Sequence, residues 1–345
     1  MKQLPALSKK NILVTGGSGF IGSNFINFLL EKKNYQVFNI DDLTYASSNG
    51  IYHIKNSKNY RFFKKNICNS FATEEVIKKS KPNIIVHFAA ESHVDNSIKN
   101  SDIFLKTNIF GTHTLLKSTL NYYQKLNERQ KKEFLFIHIS TDEVYGSLKN
   151  NEKAFTEKNQ YRPNNPYSAS KAAADHIVRA FHVTHKLPTI TLHCSNNYGP
   201  NQHPEKFIPT IIRSALLNKK IPIYGKGSNI RDWIYVRDFA DAILKVINKG
   251  KVGEVYNVGG NCQISNLELV LKTIAYLDKI QPSKTSYKNL ISFVTDRKGH
   301  DFRYDIDISK IKRELKWYPQ TKLDEGIKQT IRWYLFNTQR LKPSA

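Results

Sequence analysis

A doubly wound α/β fold is what the order of segments along these 345 residues predicts: a parallel sheet covered by helices, with a smaller interleaved lobe toward the C-terminus. Three observations carry the prediction. Apolar runs rich in β-branched and aromatic residues alternate with longer stretches of helical period, the pattern of a parallel sheet and its covering helices. The alternation is regular up to about Ser195 and then breaks into shorter pieces. No internal repeat or low-complexity linker separates the two parts, so the lobes are expected to be interleaved and not tethered.

Taken in order, a first strand over 11–15 is an apolar run stopped by glycines, and the helix over 20–32 follows with paired apolar residues at helical spacing. Strands over 36–40 and 61–64 are short apolar runs, and 73–79 is a short helix closed by lysines. The run over 83–88 is the fourth strand and is followed by a long helix over 102–125. A fifth strand over 133–140 leads, through a loop, to a helix over 167–185 that Pro166 opens, and a sixth strand over 189–194 follows. Beyond it the pattern predicts a helix over 208–218, a strand over 221–224, extended segments at 233–236 and 254–258, and helices over 267–277 and 325–336.

In domain terms, residues 11–195 are expected to form the main α/β domain, to which about 233–258 return. Residues 196–232 and 259–338 form the substrate lobe, leaving an extension over 1–10 and a tail over 339–345. A content of 40% hydrophobic and 12% aromatic residues excludes disorder as the main state. No apolar run approaches the roughly 20 residues of a membrane helix. Lys9 and Lys10 directly precede the first apolar run, so the N-terminus is read as neither signal peptide nor anchor. Cys68, Cys194 and Cys262 lack metal or redox spacing, and His182 and His185 share a helix without a third ligand. No metal is expected, and a reducing cytoplasm is the expected location. Lys plus Arg number 53 against 29 Asp plus Glu, a net charge of +24, but the lysines are scattered without a basic arm or recognition helix. They are read as a solvated surface, with no nucleic-acid or membrane partner.

Gly16-Gly17-Ser18-Gly19-Phe20-Ile21-Gly22 follows a predicted strand and opens a predicted helix, the context of a dinucleotide-binding turn. Glycines allow close backbone approach, and the helix N-terminus offers free N–H groups to a pyrophosphate. Asp41 closes the second strand, placed to accept from both adenosine ribose hydroxyls while its charge repels a 2′-phosphate. The expected cofactor is therefore NAD in a Rossmann-type fold; Asp42 is the competing candidate, and no Arg lies between Tyr35 and Ser48. Tyr167 and Lys171 are four residues apart and share one face of a helix. An ammonium beside a phenol favours phenolate, so Tyr167 can remove a hydroxyl proton as hydride leaves the same carbon, while Lys171 lowers the phenol pKa and holds the nicotinamide ribose. Ser140-Thr141 brings a hydroxyl to the same sheet edge, where open α/β sheets bind ligands.

With the glycine turn, these residues resemble the extended short-chain dehydrogenase/reductase superfamily, and Thr141, Tyr167 and Lys171 match its catalytic positions. Further segments, in order, are similar to those of nucleotide-sugar 4,6-dehydratases: Phe88-Ala89-Ala90-Glu91-Ser92-His93-Val94-Asp95, Ser140-Thr141-Asp142-Glu143-Val144-Tyr145-Gly146, Ser195-Asn196-Asn197-Tyr198-Gly199-Pro200, Pro204-Glu205-Lys206, Ile230-Arg231-Asp232-Trp233 and Asp296-Arg297-Lys298-Gly299-His300-Asp301. The resemblance implies a tightly held NAD that is regenerated each turnover. It also implies oxidation of dTDP-glucose at C4, loss of water across C5 and C6, and hydride return to C6. Glu143 is implied to take the C5 proton and Asp142 to protonate the departing hydroxyl.

Around the cofactor, Asn66 and Ile67 stand where the family usually has an Asp-Ile pair near the adenine; the Asn66 amide oxygen is expected to accept from the adenine amino group, and Ala89 joins this set. Asn196 and Arg231 match positions at the substrate diphosphate, with Arg297 as a further cation. Lys206 and Tyr304 match positions near the reacting sugar, Ser92 and His93 border the pocket, and Tyr224 stands either beside the base or in the core. The helices over 102–125 and 167–185 correspond to those that pair subunits in this superfamily, so a homodimer through a four-helix interface is expected. A UDP-glucose 4,6-dehydratase and an NAD-dependent 4-epimerase stay open as alternatives, the latter opposed by Asp142 and Glu143. A different class, an NAD-sensing or nucleic-acid-associated binding protein, has no need of a Thr141, Tyr167 and Lys171 proton relay.

Overall fold

In a computed structural model, which describes residues 9–337 apart from 48–50, 52, 53 and 55, the regular alternation of the first half becomes most of a seven-stranded parallel sheet. The expected tail over 339–345 and the extension up to residue 8 lie outside the described residues. The chain runs β1 (Lys10–Thr15), α1 (Phe20–Glu31), β2 (Tyr35–Asp41), β3 (Tyr60–Lys64), α2 (Ser70–Ser80), β4 (Ile84–His87) and α3 (Val94–Lys99). Next, α4 (Asp102–Phe104) passes through a π-helical stretch, Leu105–Gly111, into α5 (Thr112–Gln124). After α6 (Glu128–Glu133) come β5 (Leu135–Thr141), a 3-10 turn at Asp142–Tyr145, α7 (Pro166–His185) and β6 (Thr189–Cys194).

The second half gives β7 (Asn196–Tyr198), α8 (Phe207–Leu216), β8 (Ile221–Tyr224), β9 (Ile230–Tyr235), α9 (Val236–Lys249), β10 (Val255–Val258), β11 (Gln263–Ser265), α10 (Asn266–Ile280), β12 (Ile291–Val294), α11 (Ser309–Leu315) and α12 (Leu323–Phe336).

The large sheet has the order β10-β6-β5-β4-β1-β2-β3, every neighbour parallel. Its strands read as unbroken apolar runs because both faces are covered. Ile12, Val14, Ile84, Val86, Ile137 and Ile139 pack with α1, α9 and α11 on one side. The residues between them, Leu13, Ile85 and Phe136, pack with α2, α5 and α7 on the other. A separate core, built on α8, α10 and α12 through Ile211, Leu269, Val270, Ile327 and Ile331, supports two small sheets, β11-β9-β7 and β12-β8. Of the stretch 233–258, β10 adds the edge of the large sheet and α9 lies beside α1, while residues 233–235 belong to β9 in a small sheet.

Two expectations change. The fifth strand starts at Leu135 because the charged run before it closes a helix, α6, with an Asn127–Gln130 capping box. The helix over 102–125 is continuous but carries the π stretch in its second and third turns. Among the described residues no helix is long and apolar enough to cross a membrane.

Candidate active site

The site forms where the sheet order reverses, between β1 and β4, so their carboxyl ends diverge and leave a crevice. Gly16 takes φ +68° there and donates to Ile40 O at 2.9 Å. A Cβ at Gly16 would lie 2.6 Å from the Ala89 nitrogen, and one at Gly22 2.4 Å from Gly16 O, so both positions exclude a side chain. Gly19 caps α1 without a side-chain hydrogen bond, which leaves the first-turn N–H groups at Phe20, Ile21 and Gly22 for a ligand. These residues, with Asp41, Asn66, Ile67 and Ala89, line one end of a cavity of about 360 Å3.

Asp41 is positioned by its own loop: Oδ2 accepts from Ser18 N at 2.9 Å and Oδ1 from Leu43 N at 2.8 Å. Burial raises its carboxyl above the ordinary range, against those hydrogen bonds. Its rival Asp42 instead accepts from Asn66 Nδ2 at 2.7 Å. The Asn66 amide oxygen already accepts from Cys68 N at 2.7 Å, so only its second lone pair can serve an adenine amino group.

The other end of the same cavity gathers Thr141, Asp142, Glu143, Tyr167, Lys171, Ser92, Asn196 and Lys206. The 3-10 turn after β5 folds Asp142 and Glu143 back over the strand end: Thr141 Oγ1 accepts from Glu143 N and donates to Asp142 Oδ1, both at 3.3 Å. Asp142 is buried, and its Oδ2 has no hydrogen-bond partner. Burial, then Glu143 and Asp232, push its carboxyl well up, with Arg231 opposing. Burial likewise raises Glu143, with Arg231 pulling it down. An Asn165–Ser168 capping box starts α7 and aims its first turns at the strand end.

Lys171, 4% exposed, donates from Nζ to Ile139 O at 2.8 Å, and burial lowers its ammonium. The expected depression of the Tyr167 phenol is not seen. Burial and then Glu143 hold it well above its usual value, while Thr141 pulls it down. Lys171 is directed at a backbone carbonyl, and the largest charge effect on the phenol comes from Glu143.

The remaining substrate candidates stand around this end and not in the cavity wall. Tyr304 is buried, donates to Asp301 Oδ2, and its hydroxyl is 3.4 Å from Glu143 Oε2. Arg231 stacks on the Tyr304 ring at 4.2 Å and donates to the carbonyls of Ile230, Phe302 and Asp301, leaving Nε–H and one Nη2–H uncommitted. Arg297 is ion-paired with Asp95 over the Tyr224 ring, Nη2 donating to Oδ2 at 3.0 Å and Nε lying 2.6 Å from Oδ1 off the line of a hydrogen bond, so an anion there must share or displace that carboxylate. His93 Nε2 lies 3.8 Å from Glu205, and Lys206 Nζ donates to Ser92 O at 2.9 Å. Sequence reasoning passed over Asn165, whose side chain reaches Glu143, and Asp301, which holds Tyr304. The first carries a readable capping signal; the second is three residues from Tyr304, and only the approach of Tyr304 to Glu143 is a tertiary contact.

Comparison with known proteins agrees with this geometry. A family model described as GDP-mannose 4,6 dehydratase matches residues 13–330. The dTDP-glucose 4,6-dehydratase of Haemophilus influenzae is 49% identical over 333 residues, covering 95% of this chain and 98% of that one. The crystal structure of the Bacillus anthracis dTDP-glucose 4,6-dehydratase in complex with NAD superposes with a TM-score of 0.85 at 44% identity, covering 96% and 100% of the two chains. That of Streptomyces venezuelae, also with NAD bound, gives 0.87 at 38% identity over 96% and 99%. Because the match runs through both halves of the molecule, cofactor end and substrate end alike, this chain belongs to the GDP-mannose 4,6 dehydratase family and, within it, to the dTDP-glucose 4,6-dehydratases.

Proposed function

We propose that this chain converts dTDP-glucose to dTDP-4-keto-6-deoxyglucose with loss of one water, using NAD. The observation that carries the reading is the pair of carboxyls, buried Asp142 and half-buried Glu143, beside Tyr167 at the end of one strand. Oxidation at C4 alone needs one base. Elimination needs two more groups, one to take the C5 proton and one to give a proton to the C6 hydroxyl. The glycine turn, the open first turn of α1 and the Asp41 carboxylate fit the pyrophosphate and ribose of NAD. Bound there, NAD would supply the hydride acceptor for C4 and the hydride donor for C6. Tyr167, in its phenolate form, takes the O4 proton, Glu143 takes and later returns the C5 proton, and Asp142, held neutral by burial, gives its proton to the leaving hydroxyl. The proton gained by Tyr167 offsets, through solvent, the one given by Asp142, so the balance is one water lost and no net redox change.

In this reading β1 to β6 with β10 hold the cofactor, and the α8, α10 and α12 lobe holds the nucleotide. The active unit is a homodimer paired through α5 and α7, supported by exposed apolar side chains at Phe110 and Val183 on or beside those helices. Sedimentation showing only monomer at micromolar concentration would remove the dimer. The decisive assay is incubation with dTDP-glucose and UDP-glucose separately in deuterated water. The expected product from dTDP-glucose is lighter by one water and carries deuterium at C5. A faster reaction with UDP-glucose, or a product of unchanged mass with C4 inverted, would replace the reading by one of its two alternatives.

A further inference from the structure

Lys171 has a partner that the reaction scheme does not use. Asp175 lies one helical turn further along the same face of α7, and its side chain is as deeply buried as that of Lys171, each residue 4% exposed. Together they dock on three consecutive residues of β5. Lys171 Nζ binds Ile139 O, whereas Asp175 Oδ2 accepts from Ser140 Oγ at 3.0 Å and Asp175 Oδ1 lies 3.1 Å from His138 Nε2, off the line of a hydrogen bond. From β6, His193 Nε2 donates to Oδ2 at 3.0 Å, and Tyr145, from the 3-10 turn, holds His193 Nδ1 at 2.6 Å. A carboxylate can only accept, so Ser140 and His193 converge as donors on one oxygen of an ionised group in a dry layer, with His138 beside the other oxygen.

A buried charge needs an opposite charge within reach. The ionisable neighbours of Asp175 are His138 on β5, His193 on β6, Tyr145, Tyr161 and, on its own helix, Lys171. Burial holds His138 neutral at physiological pH, at about 4, and the two tyrosines are pushed far up. Two groups of the same layer can supply the opposite charge: His193, in direct contact with the carboxylate, and Lys171, fixed by its bond to β5, whose ammonium Asp175 raises against the lowering by burial.

We infer that Asp175 is the counter-ion of Lys171: a positioning residue whose carboxylate, clamped by Ser140, His138 and His193, keeps the lysine charged and directed along β5 beneath Tyr167. The inference rests on the proposed role of Lys171, but its test does not depend on turnover. Cyanate, small enough to enter the cavity that Lys171 lines, carbamylates only neutral amines. Mass spectrometry across a pH series gives the midpoint for Lys171 independently of how fast the reagent reaches it.

In Asp175→Asn that midpoint should fall by at least about one pH unit, a tenfold rise in neutral lysine at fixed pH, while surface lysines do not move. Asp175→Glu should keep the parental midpoint. An unmoved midpoint in a folded Asp175→Asn chain overturns the inference, whether or not dehydratase activity survives. If Asp175→Asn does not fold, the added change Lys171→Met should restore folding, because it removes the charge left unpaired. A double variant that still fails to fold would assign Asp175 to packing and overturn the inference as well.

Discussion

Glu143→Gln separates the two halves of the proposed chemistry. The substitution keeps shape and leaves the surroundings able to bond: Tyr304 retains its acceptor on Asp301, and the backbone bond from residue 143 to Thr141 Oγ1 does not involve the changed atoms. A half-buried carboxylate becomes an amide, so stability should move by no more than about 1 kcal/mol. The lost function is that of a base at C5, a contribution of roughly 100- to 10,000-fold, or about 3 to 5 kcal/mol of barrier. Oxidation at C4 relies on Tyr167 and should persist. With dTDP-glucose and the cofactor-loaded variant, reduced-nicotinamide absorbance should rise within one turnover and stay. Release of water should fall by at least about 100-fold, with no deuterium entering C5. Dehydrated product within tenfold of the parent rate, labelled at C5, would show that another group removes the proton. Equal loss of both steps together with loss of cofactor would show that Glu143 serves only the fold.

Other consequences follow from burial and charge. Burial and Glu143 raise the Asp142 carboxyl, so the folded chain keeps a proton that the unfolded chain releases as pH climbs through the ordinary carboxylate range. The stability contributed by the neutral acid is full below that range and lost above it. Asp142→Asn should therefore be inactive yet more stable at pH 7 by about 1–2 kcal/mol, with the difference closing below about pH 4, as read by denaturant unfolding. In Gly16→Ala the new methyl group meets the Ala89 nitrogen at a positive φ, so the purified chain should lose retained nicotinamide and melt earlier, by about 1–3 kcal/mol of strain or more. Asn66→Asp would set two carboxylates against each other where Asn66 now donates to Asp42. The variant should lose up to about 1 kcal/mol at neutral pH and low salt, recovering in high salt or in acid.

What could be read beforehand was what is written in short local strings. The glycine turn, Asp41, the run from Ser140 to Glu143 and the Tyr167–Lys171 spacing each depend on one strand end or one helix, so residue order alone places them. The cluster around Glu143 was not legible in the same way, because Tyr304 comes from 161 residues further along and reaches it only through the smaller lobe. The same holds for the pairing of Arg297 with Asp95, 202 residues apart, which turns an expected free cation into a neutralised one. Helix α9 was missed although Val236, Phe239, Ala240, Ile243 and Val246 keep helical spacing and are all buried. Strand β9 ends at Tyr235 and the helix begins at Val236, with no Gly, Pro or Asx residue to mark the change. The phenol of Tyr167 was misjudged for a related reason: a spacing of four tells which side chains share a helix face but not what the strand beneath them offers. Here the strand offers the Ile139 carbonyl to the lysine, and the turn beyond it sets Glu143 near the phenol.

Strand β5 also explains why these parts stay in register. Its even positions face α5 and α7: Phe136 is in that core, and the side chains of His138 and Ser140 meet Asp175. Its odd positions, Ile137 and Ile139, enter the opposite apolar core with α1 and α9. Sliding the strand by one residue would exchange the two sets, burying an imidazole and a hydroxyl among aliphatic side chains and leaving a carboxylate against isoleucine. Each such polar group without a partner costs about 1–3 kcal/mol, comparable with a sizeable part of a domain's whole stability. The neighbouring strands repeat the constraint, since His87 is paired with His138 on one side and His193 with Ser140 on the other. The polar layer thus fixes how far β5 extends before the 3-10 turn begins, and the turn determines where Asp142 and Glu143 stand. Reactive groups at the end of the strand are held in place by residues two to four positions earlier that never meet the substrate.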